Sequence, residues 1–105
     1  MVSARSAVRI EQPLPPQIAA LFGCAVMTGV GAVINTAQVR AGESVAIFGL
    51  GGIGLAALLG AVAAGANPIV AVDVVPAKLE LAKALGATHV IAANADTVAA
   101  VREAT

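Results

Sequence analysis

The sequence predicts an α/β fold in which three strands form a parallel sheet and alternate with helices. Three segments with the composition of short strands cover residues 44–48, 68–72 and 88–91, and the first of them is apolar enough to be buried. A segment of helical character follows each of them, so the predicted order is β-α-β-α-β-α. The turn after the first strand carries glycines in a G-x-G-x-x-G pattern. Strands that alternate with helices in this way favour parallel pairing with right-handed crossovers.

One or two helices are predicted to precede this unit. Residues 7–10 alternate between apolar and polar side chains, which favours a brief strand. Several prolines then interrupt the chain, and Pro16 suits the first turn of a helix that runs to about Phe22. Gly23 is expected to break that helix.

A second helix is expected within residues 24–41, where apolar side chains recur at helical spacing. Gly29 and Gly31 oppose this prediction, because glycine inside a helix costs about 1 kcal/mol relative to alanine. Both would be tolerated if another part of the protein approached the helix closely. Residues 40–43 are then expected to turn the chain into the first strand.

The glycine pattern after the first strand is typical of a phosphate-binding turn. Gly49 permits the tight turn from strand to helix, Gly51 lets the backbone approach a pyrophosphate, and Gly54 lets the helix pack against the strand. The phosphates are expected on the unpaired N–H groups of Gly52 and Ile53, at the positive end of the helix dipole.

An acidic residue follows the second strand at the distance that a ribose-binding carboxylate requires. Asp73 comes nineteen residues after Gly54, which suits a carboxylate that accepts hydrogen bonds from an adenosine ribose. With the glycine turn, this spacing predicts a dinucleotide-binding unit, half of a Rossmann doubly wound sheet with strand order 3-2-1. In the complete fold a fourth strand pairs with the first, so residues 44–48 are expected to present an open apolar edge.

Two other interpretations of this region stay open. The glycine turn can belong to a different α/β protein, because a G-x-G-x-x-G pattern by itself is weak evidence. Residues 44–72 carry no charged side chain and are long enough to cross a bilayer. Glycines, Asn67 and Pro68 interrupt this segment, however, so no membrane association is expected.

The later segments complete the alternation. The helix over residues 54–65 is apolar nearly all round, which implies burial on more than one side. Another helix is expected to begin at Pro76 and to end before Gly86. A last helix follows the third strand, and Asn94 or Asp96 is expected to cap its first turn.

The composition limits the classes of function. Hydrophobic residues make up 59% of the 105 residues and charged residues 11%, against about a quarter charged in typical domains. Part of this apolar surface is expected to lie against another part of the protein or a second copy, which favours a homo-oligomer. Zero net charge and two aromatic residues argue against nucleic-acid binding. The single cysteine excludes an internal disulfide and fits a reducing, cytoplasmic location.

From residue 21 onward the sequence resembles the zinc-dependent medium-chain alcohol dehydrogenases, especially the branch containing the glutathione-dependent formaldehyde dehydrogenases. The resemblance rests on the Gly-Cys-x-x-x-Thr-Gly-x-Gly segment at residues 23–31 and on the glycine turn. It extends to residues 72–73 and 78–88. It implies hydride transfer between NAD and a small alcohol or aldehyde, or an S-hydroxymethyl thiol adduct, with zinc as the second cofactor.

The resemblance also implies roles for individual residues. Cys24 matches a ligand of the catalytic zinc, and Thr28 matches a residue beside the nicotinamide ring. Asp73 matches the ribose-binding acid that favours NAD over NADP, and Lys78 matches a second residue near that ribose. His89 has no such counterpart, and we expect it to be a solvated or edge residue.

In that family the other zinc ligands come from an earlier catalytic domain, which this sequence does not include. We therefore expect residues 1–41 to join that domain and residues 42–105 to form the first mononucleotide-binding half of the cofactor domain. The chain alone is predicted to be inactive. Two alternatives are a free-standing module that binds ADP or NAD without catalysis, and a structural fragment that associates through its open strand.

Overall fold

The computed structural model describes residues 1–10 and 13–105 of the chain. Within these ranges a parallel sheet is formed by strands β1 (Val45–Phe48), β2 (Ile69–Asp73) and β3 (His89–Ala92), in the order β1-β2-β3. Phe48 pairs with Val72, and Asp73 pairs with Ala92. The predicted α/β class, the parallel pairing and the 3-2-1 strand order are confirmed.

Longer helices flank the strands. They are α1 (Pro16–Thr36), α2 (Gly52–Ala63), α3 (Pro76–Ala84) and α4 (Thr97–Ala104), and a short 3₁₀ turn precedes them at Ala4–Ser6. Helix α2 packs against β1 and β2, α3 packs against β2 and β3, and α4 packs against β3. The alternation of strands and helices is therefore the one predicted.

Helix α1 differs from the prediction, because Gly23 does not break it. The helix continues from Pro16 to Thr36 and widens to π-helical geometry over Phe22–Val26 and Ala32–Thr36. A single glycine costs about 1 kcal/mol in a helix, which the long apolar segment around it tolerates. The helix also ends at Thr36 rather than near residue 41, and a turn follows in which Glu43 N donates to Arg40 O at 3.1 Å.

The brief strand predicted at residues 7–10 is wrong. These residues are exposed and lie outside regular secondary structure. Alternation alone does not make a strand, because a strand needs a neighbouring strand to accept and donate its backbone hydrogen bonds.

The predicted cap of the last helix is also wrong. Asp96 is the residue before α4, and its side chain makes no capping hydrogen bond. The side chain of Asn94 instead accepts from Asp96 N at 2.8 Å, and Thr97 Oγ1 accepts from Asn94 N at 2.7 Å. The loop is thus closed by its own short-range bonds rather than by a cap of the helical N–H groups.

The core lies around β2 and α2. All five residues of β2 are buried, and Leu50 and Leu58 are among the largest fully buried side chains. Val33 of α1 belongs to the same apolar cluster as Leu58, so α2 lies between α1 and the sheet. The predicted burial of this helix on more than one side is confirmed.

By length and composition alone, α1 is long and apolar enough to cross a membrane, with a mean hydropathy of 1.9 in its most apolar window. Its buried residues, Gly29 and Val33, face α2. A helix of a folded domain with one face against its neighbour has the same composition.

Candidate functional site

The turn between β1 and α2 has the geometry of a phosphate-binding turn. Gly49 N donates to Val72 O at 2.8 Å, so pairing with β2 continues to the last residue before the turn. Gly49 then has φ +86°, a left-handed conformation that favours glycine. The first hydrogen bond of α2 runs from Leu55 N to Gly51 O at 2.9 Å. The amides of Gly52 and Ile53 therefore precede it and have no acceptor within the helix.

Gly51 and Gly54 meet different surroundings. A methyl group added at Gly51 would have none of the described protein atoms within 4 Å, so the space above this residue is open to a ligand. A methyl group added at Gly54 would overlap the carbonyl oxygen of Gly49. Gly51 thus has open space around it, and the missing side chain of Gly54 lets the helix close against the turn.

Asp73 lies at the carboxyl end of β2 and is hydrogen-bonded to the glycine turn. Its side chain is buried, with 6% of its surface exposed. Leu50 N donates to Asp73 Oδ2 at 2.6 Å, and Val75 N donates to Asp73 Oδ1 at 2.9 Å. An ionised carboxylate offers about four lone-pair positions, so these two bonds do not occupy all of them.

The charge of this carboxylate is stabilised by its surroundings. The hydrogen bond from Leu50 N, followed by that from Val75 N, lowers the pKa of Asp73 below its ordinary value of 3.8. Lys78, in the first turn of α3, adds to the same effect with Nζ 3.8 Å from Asp73 Oδ2. Asp73 is therefore ionised at neutral pH, the state in which a carboxylate can accept hydrogen bonds from hydroxyl groups and repels a phosphate.

Helix α1 brings Cys24 and Thr28 to the neighbourhood of this turn. Both side chains are exposed. The residue that follows Cys24 is Ala25, whose Cβ would lie 3.4 Å from a Cβ on Gly52. Gly29, which follows Thr28, is packed against Ile53 of α2, so the residues directly after Cys24 and Thr28 contact the start of α2.

His89 lies at the opposite edge of the sheet. It begins β3 and pairs with Val70, near the amino end of β2, whereas the glycine turn and Asp73 lie at the carboxyl ends of the strands. The side chain is exposed, and its Nδ1 is 2.9 Å from Thr88 Oγ1. Among the described residues there is no group of three His, Cys, Asp or Glu side chains that could hold a metal ion.

Two features of the site were not predicted from the sequence. The first is the bond between Leu50 N and Asp73, which depends on the register of β1 against β2. The second is the close contact between α1 and the start of α2. The glycines of α1 were the available signal for this contact, but only Gly29 lies at it, since a methyl group on Gly31 would meet nothing closer than Asn35 at 3.8 Å.

Comparison with known proteins agrees with this fold. The sequence profile described as zinc-binding dehydrogenase matches residues 52–105. S-(hydroxymethyl)glutathione dehydrogenase of Synechocystis sp. is 52% identical over 91 residues, which are 87% of this chain and 25% of that protein. Benzyl alcohol dehydrogenase from Acinetobacter calcoaceticus has a TM-score of 0.85 at 45% identity, covering 91% of this chain and 27% of that one.

A third match is a structure solved with a nucleotide. Acetophenone reductase from Geotrichum candidum in complex with NAD has a TM-score of 0.75 at 30% identity, over 82% of this chain and 25% of that chain. The chain thus spans about a quarter of the length of the curated relatives that it matches. Because the profile covers more than half of the chain and the fold agrees, the chain belongs to the zinc-binding dehydrogenase family.

Proposed function

We propose that this chain is the NAD-binding portion of a zinc-dependent alcohol dehydrogenase. The observation that carries the proposal is the hydrogen bond from Leu50 N to Asp73 Oδ2. It joins the ribose-binding acid to the phosphate-binding turn, so one rigid element would hold both parts of an ADP group. In this proposal Gly49, Gly51, Gly52, Ile53 and Gly54 bind the pyrophosphate.

The described residues fit NAD. The space above Gly51 is open, and the amides of Gly52 and Ile53 are free to donate to a pyrophosphate. Asp73 keeps lone pairs for the ribose, and Lys78 supplies a positive charge beside it. When bound, NAD supplies the hydride acceptor, while this chain would bind the adenosine half and Thr28 would lie beside the nicotinamide ring.

The zinc site would be only partly built from this chain. Cys24 would supply one thiolate ligand, and the described residues offer no group of three candidate ligands around it. A catalytic zinc needs three protein ligands. The others would come from a preceding catalytic domain that residues 1–41 join, and this chain alone would have no dehydrogenase activity.

The substrate, assembly and location are part of the same proposal. The names of the relatives favour a primary alcohol or an S-hydroxymethyl thiol adduct, because these proteins act on S-(hydroxymethyl)glutathione or benzyl alcohol. The exposed apolar side chains of α1, such as Phe22 and Met27, favour contact with a further domain or a second copy. The lone thiol fits the cytoplasm.

Calorimetric titration of the folded chain with NAD and with NADP tests the proposal. Saturable binding of NAD is expected, with weaker binding of NADP. Asp73→Asn should weaken NAD binding at least about tenfold and reduce the preference for NAD. Asp96→Asn is the matched control, since Asp96 is exposed and distant in sequence from the turn. A folded chain that binds no NAD, or an unchanged affinity in Asp73→Asn, would contradict the proposal.

A second candidate is a nucleotide-binding module without catalysis. It is favoured by the fact that Asp73 contacts both the glycine turn and Lys78 within this chain. Cys24→Ser separates the two candidates. In a module the substitution changes nothing, whereas a dehydrogenase reassembled with its catalytic domain would lose zinc and turnover.

A further inference from the structure

The contact between α1 and α2 is unusually close at one residue of α1. Gly29 is buried against the first turns of α2. A methyl group added there would overlap the carbonyl oxygen of Ile53 and would lie 2.7 Å from both Ala56 Cβ and Ala57 N. Carbon atoms in ordinary contact are about 3.5–4.0 Å apart. Any side chain at Gly29 would therefore separate the two helices.

Two further contacts show that the helices run side by side in the same direction. Ala25 Cβ faces Gly52, with 3.4 Å to the position of a Cβ there, and Val33 Cβ faces Gly60 at 3.5 Å by the same measure. Gly29 lies between these contacts. We name this line of contacts, from Ala25 to Val33 on α1 and from Gly52 to Gly60 on α2, the α1–α2 interface.

The interface connects two parts of the proposed site. Cys24 and Thr28 are four residues apart, so they share one side of α1, and each directly precedes an interface residue. On the other helix, Gly52 and Ile53 are the proposed phosphate-binding residues. The spacing of α1 from α2 thus sets the position of Cys24 and Thr28 relative to a bound pyrophosphate.

We propose that Gly29 is a positioning residue, which fixes α1 against the phosphate-binding turn and so places Cys24 and Thr28 relative to the bound nucleotide. The geometric part stands on the contacts at Gly29, and the part about the nucleotide rests on the proposed function. Other glycines of α1 do not share this role. A methyl group on Gly23 would have no described atom within 4 Å, and one on Gly31 would meet only Asn35 of the same helix.

The first experiment measures the spacing without a nucleotide. Ala25→Cys and Gly52→Cys are introduced into a Cys24→Ser chain, since their Cβ atoms would lie about as close as disulfide geometry requires. The equilibrium constant for forming this disulfide by exchange with oxidised glutathione is then measured, with two molecules of reduced glutathione released. Gly29→Ala should lower it about tenfold, because the bond needs the close approach that a methyl group opposes. Gly31→Ala should leave it within about twofold.

Circular dichroism must show that each variant is folded. If Gly29→Ala does not fold, Gly60→Ala replaces it, because its methyl group would lie 3.2 Å from Val30 Cα, a milder conflict at the same interface. A fall of about threefold in the disulfide constant is then expected. An unchanged constant in the folded variant would overturn the proposal.

The second experiment measures the consequence for the nucleotide. In the chain with its natural Cys24, NAD at saturating concentration should slow the reaction of this thiol with a thiol reagent several-fold. Gly29→Ala should lose most of this protection and Gly31→Ala should keep it. Equal protection in both variants would overturn the role toward the nucleotide. If the unmodified chain binds no NAD, the proposed function fails while the disulfide experiment still decides the role of Gly29.

Discussion

Replacing Gly51 by alanine should abolish most of the affinity for NAD and leave the stability of the chain nearly unchanged. Gly51 has φ −79° and ψ −169°, which alanine adopts without strain. Alanine raises the free energy of unfolding by about 0.4–1 kcal/mol because it restricts the unfolded chain. It lowers the free energy of unfolding by a similar amount because it is a poorer N-cap than glycine. Its methyl group would fill the space where a pyrophosphate must approach the backbone, so affinity should fall about 10- to 100-fold, or about 1.4–2.7 kcal/mol.

Gly54→Ala is the matched comparison, and its main effect should be a loss of stability. Its methyl group would overlap Gly49 O, a backbone atom of the turn that cannot rotate aside. Overpacking of this kind costs about 1–3 kcal/mol, which lowers the melting temperature of a chain of this length by about 4–8 °C for each kcal/mol.

Urea denaturation followed by circular dichroism measures the change in stability, since the chain has no tryptophan or tyrosine for fluorescence. Calorimetric titration with NAD measures the change in affinity. If Gly51→Ala destabilises the chain as much as Gly54→Ala does, or if it keeps the affinity of the unmodified chain, the assignment of roles within the turn is wrong.

Two further predictions concern the core and the pH dependence. Leu58→Ala should lower the free energy of unfolding by about 3–5 kcal/mol, because Leu58 is fully buried between the sheet and α1; Leu59→Ala, at 47% exposure, should cost clearly less in the same urea titrations. The pKa of Asp73 is lowered in the folded chain, so this carboxylate stabilises the fold above its unfolded pKa and that contribution is lost as the pH falls below 3.8. Asp73→Asn should therefore show a smaller loss of stability on acidification, and an equal loss in both chains would show that other groups control the acid limb.

The sequence was sufficient to predict the strands and helices of residues 42–105, although not the bonds of the loop before α4, because local signals and the global fold agree there. The strand at residues 44–48, the glycine turn and the spacing to Asp73 each predict the same βαβ unit, and Val45–Phe48, Gly52–Ala63 and Ile69–Asp73 match it closely. Residues 1–41 carry weaker signals. Glycine is typical of a helix break, but Gly23 lies inside the continuous helix α1, so the prediction failed there.

The residues of the candidate site were predicted from the sequence, but the hydrogen bonds between them were not. The spacing in sequence places Asp73 at the end of β2, yet its bond to Leu50 requires β1 and β2 to pair so that Phe48 lies opposite Val72. Register depends on contacts between segments that are far apart in the chain. The same reason explains why Gly29 and Gly31 could not be told apart before the position of α2 was known.

The start of α2 borders the open space at Gly51 on one side and contacts Gly29 of α1 on the other. In the proposed function its free amides face a ligand, which requires open space at Gly51, while its side lies against α1, which requires a missing side chain at Gly29. These are independent constraints, since one concerns the space above the turn and the other the distance between two helices. Substitutions at Gly51 and at Gly29 should therefore have separable effects, with the first reducing nucleotide affinity at an unchanged helix spacing. Substitution at Gly29 should change the spacing of the two helices and therefore the protection of Cys24 by a bound nucleotide.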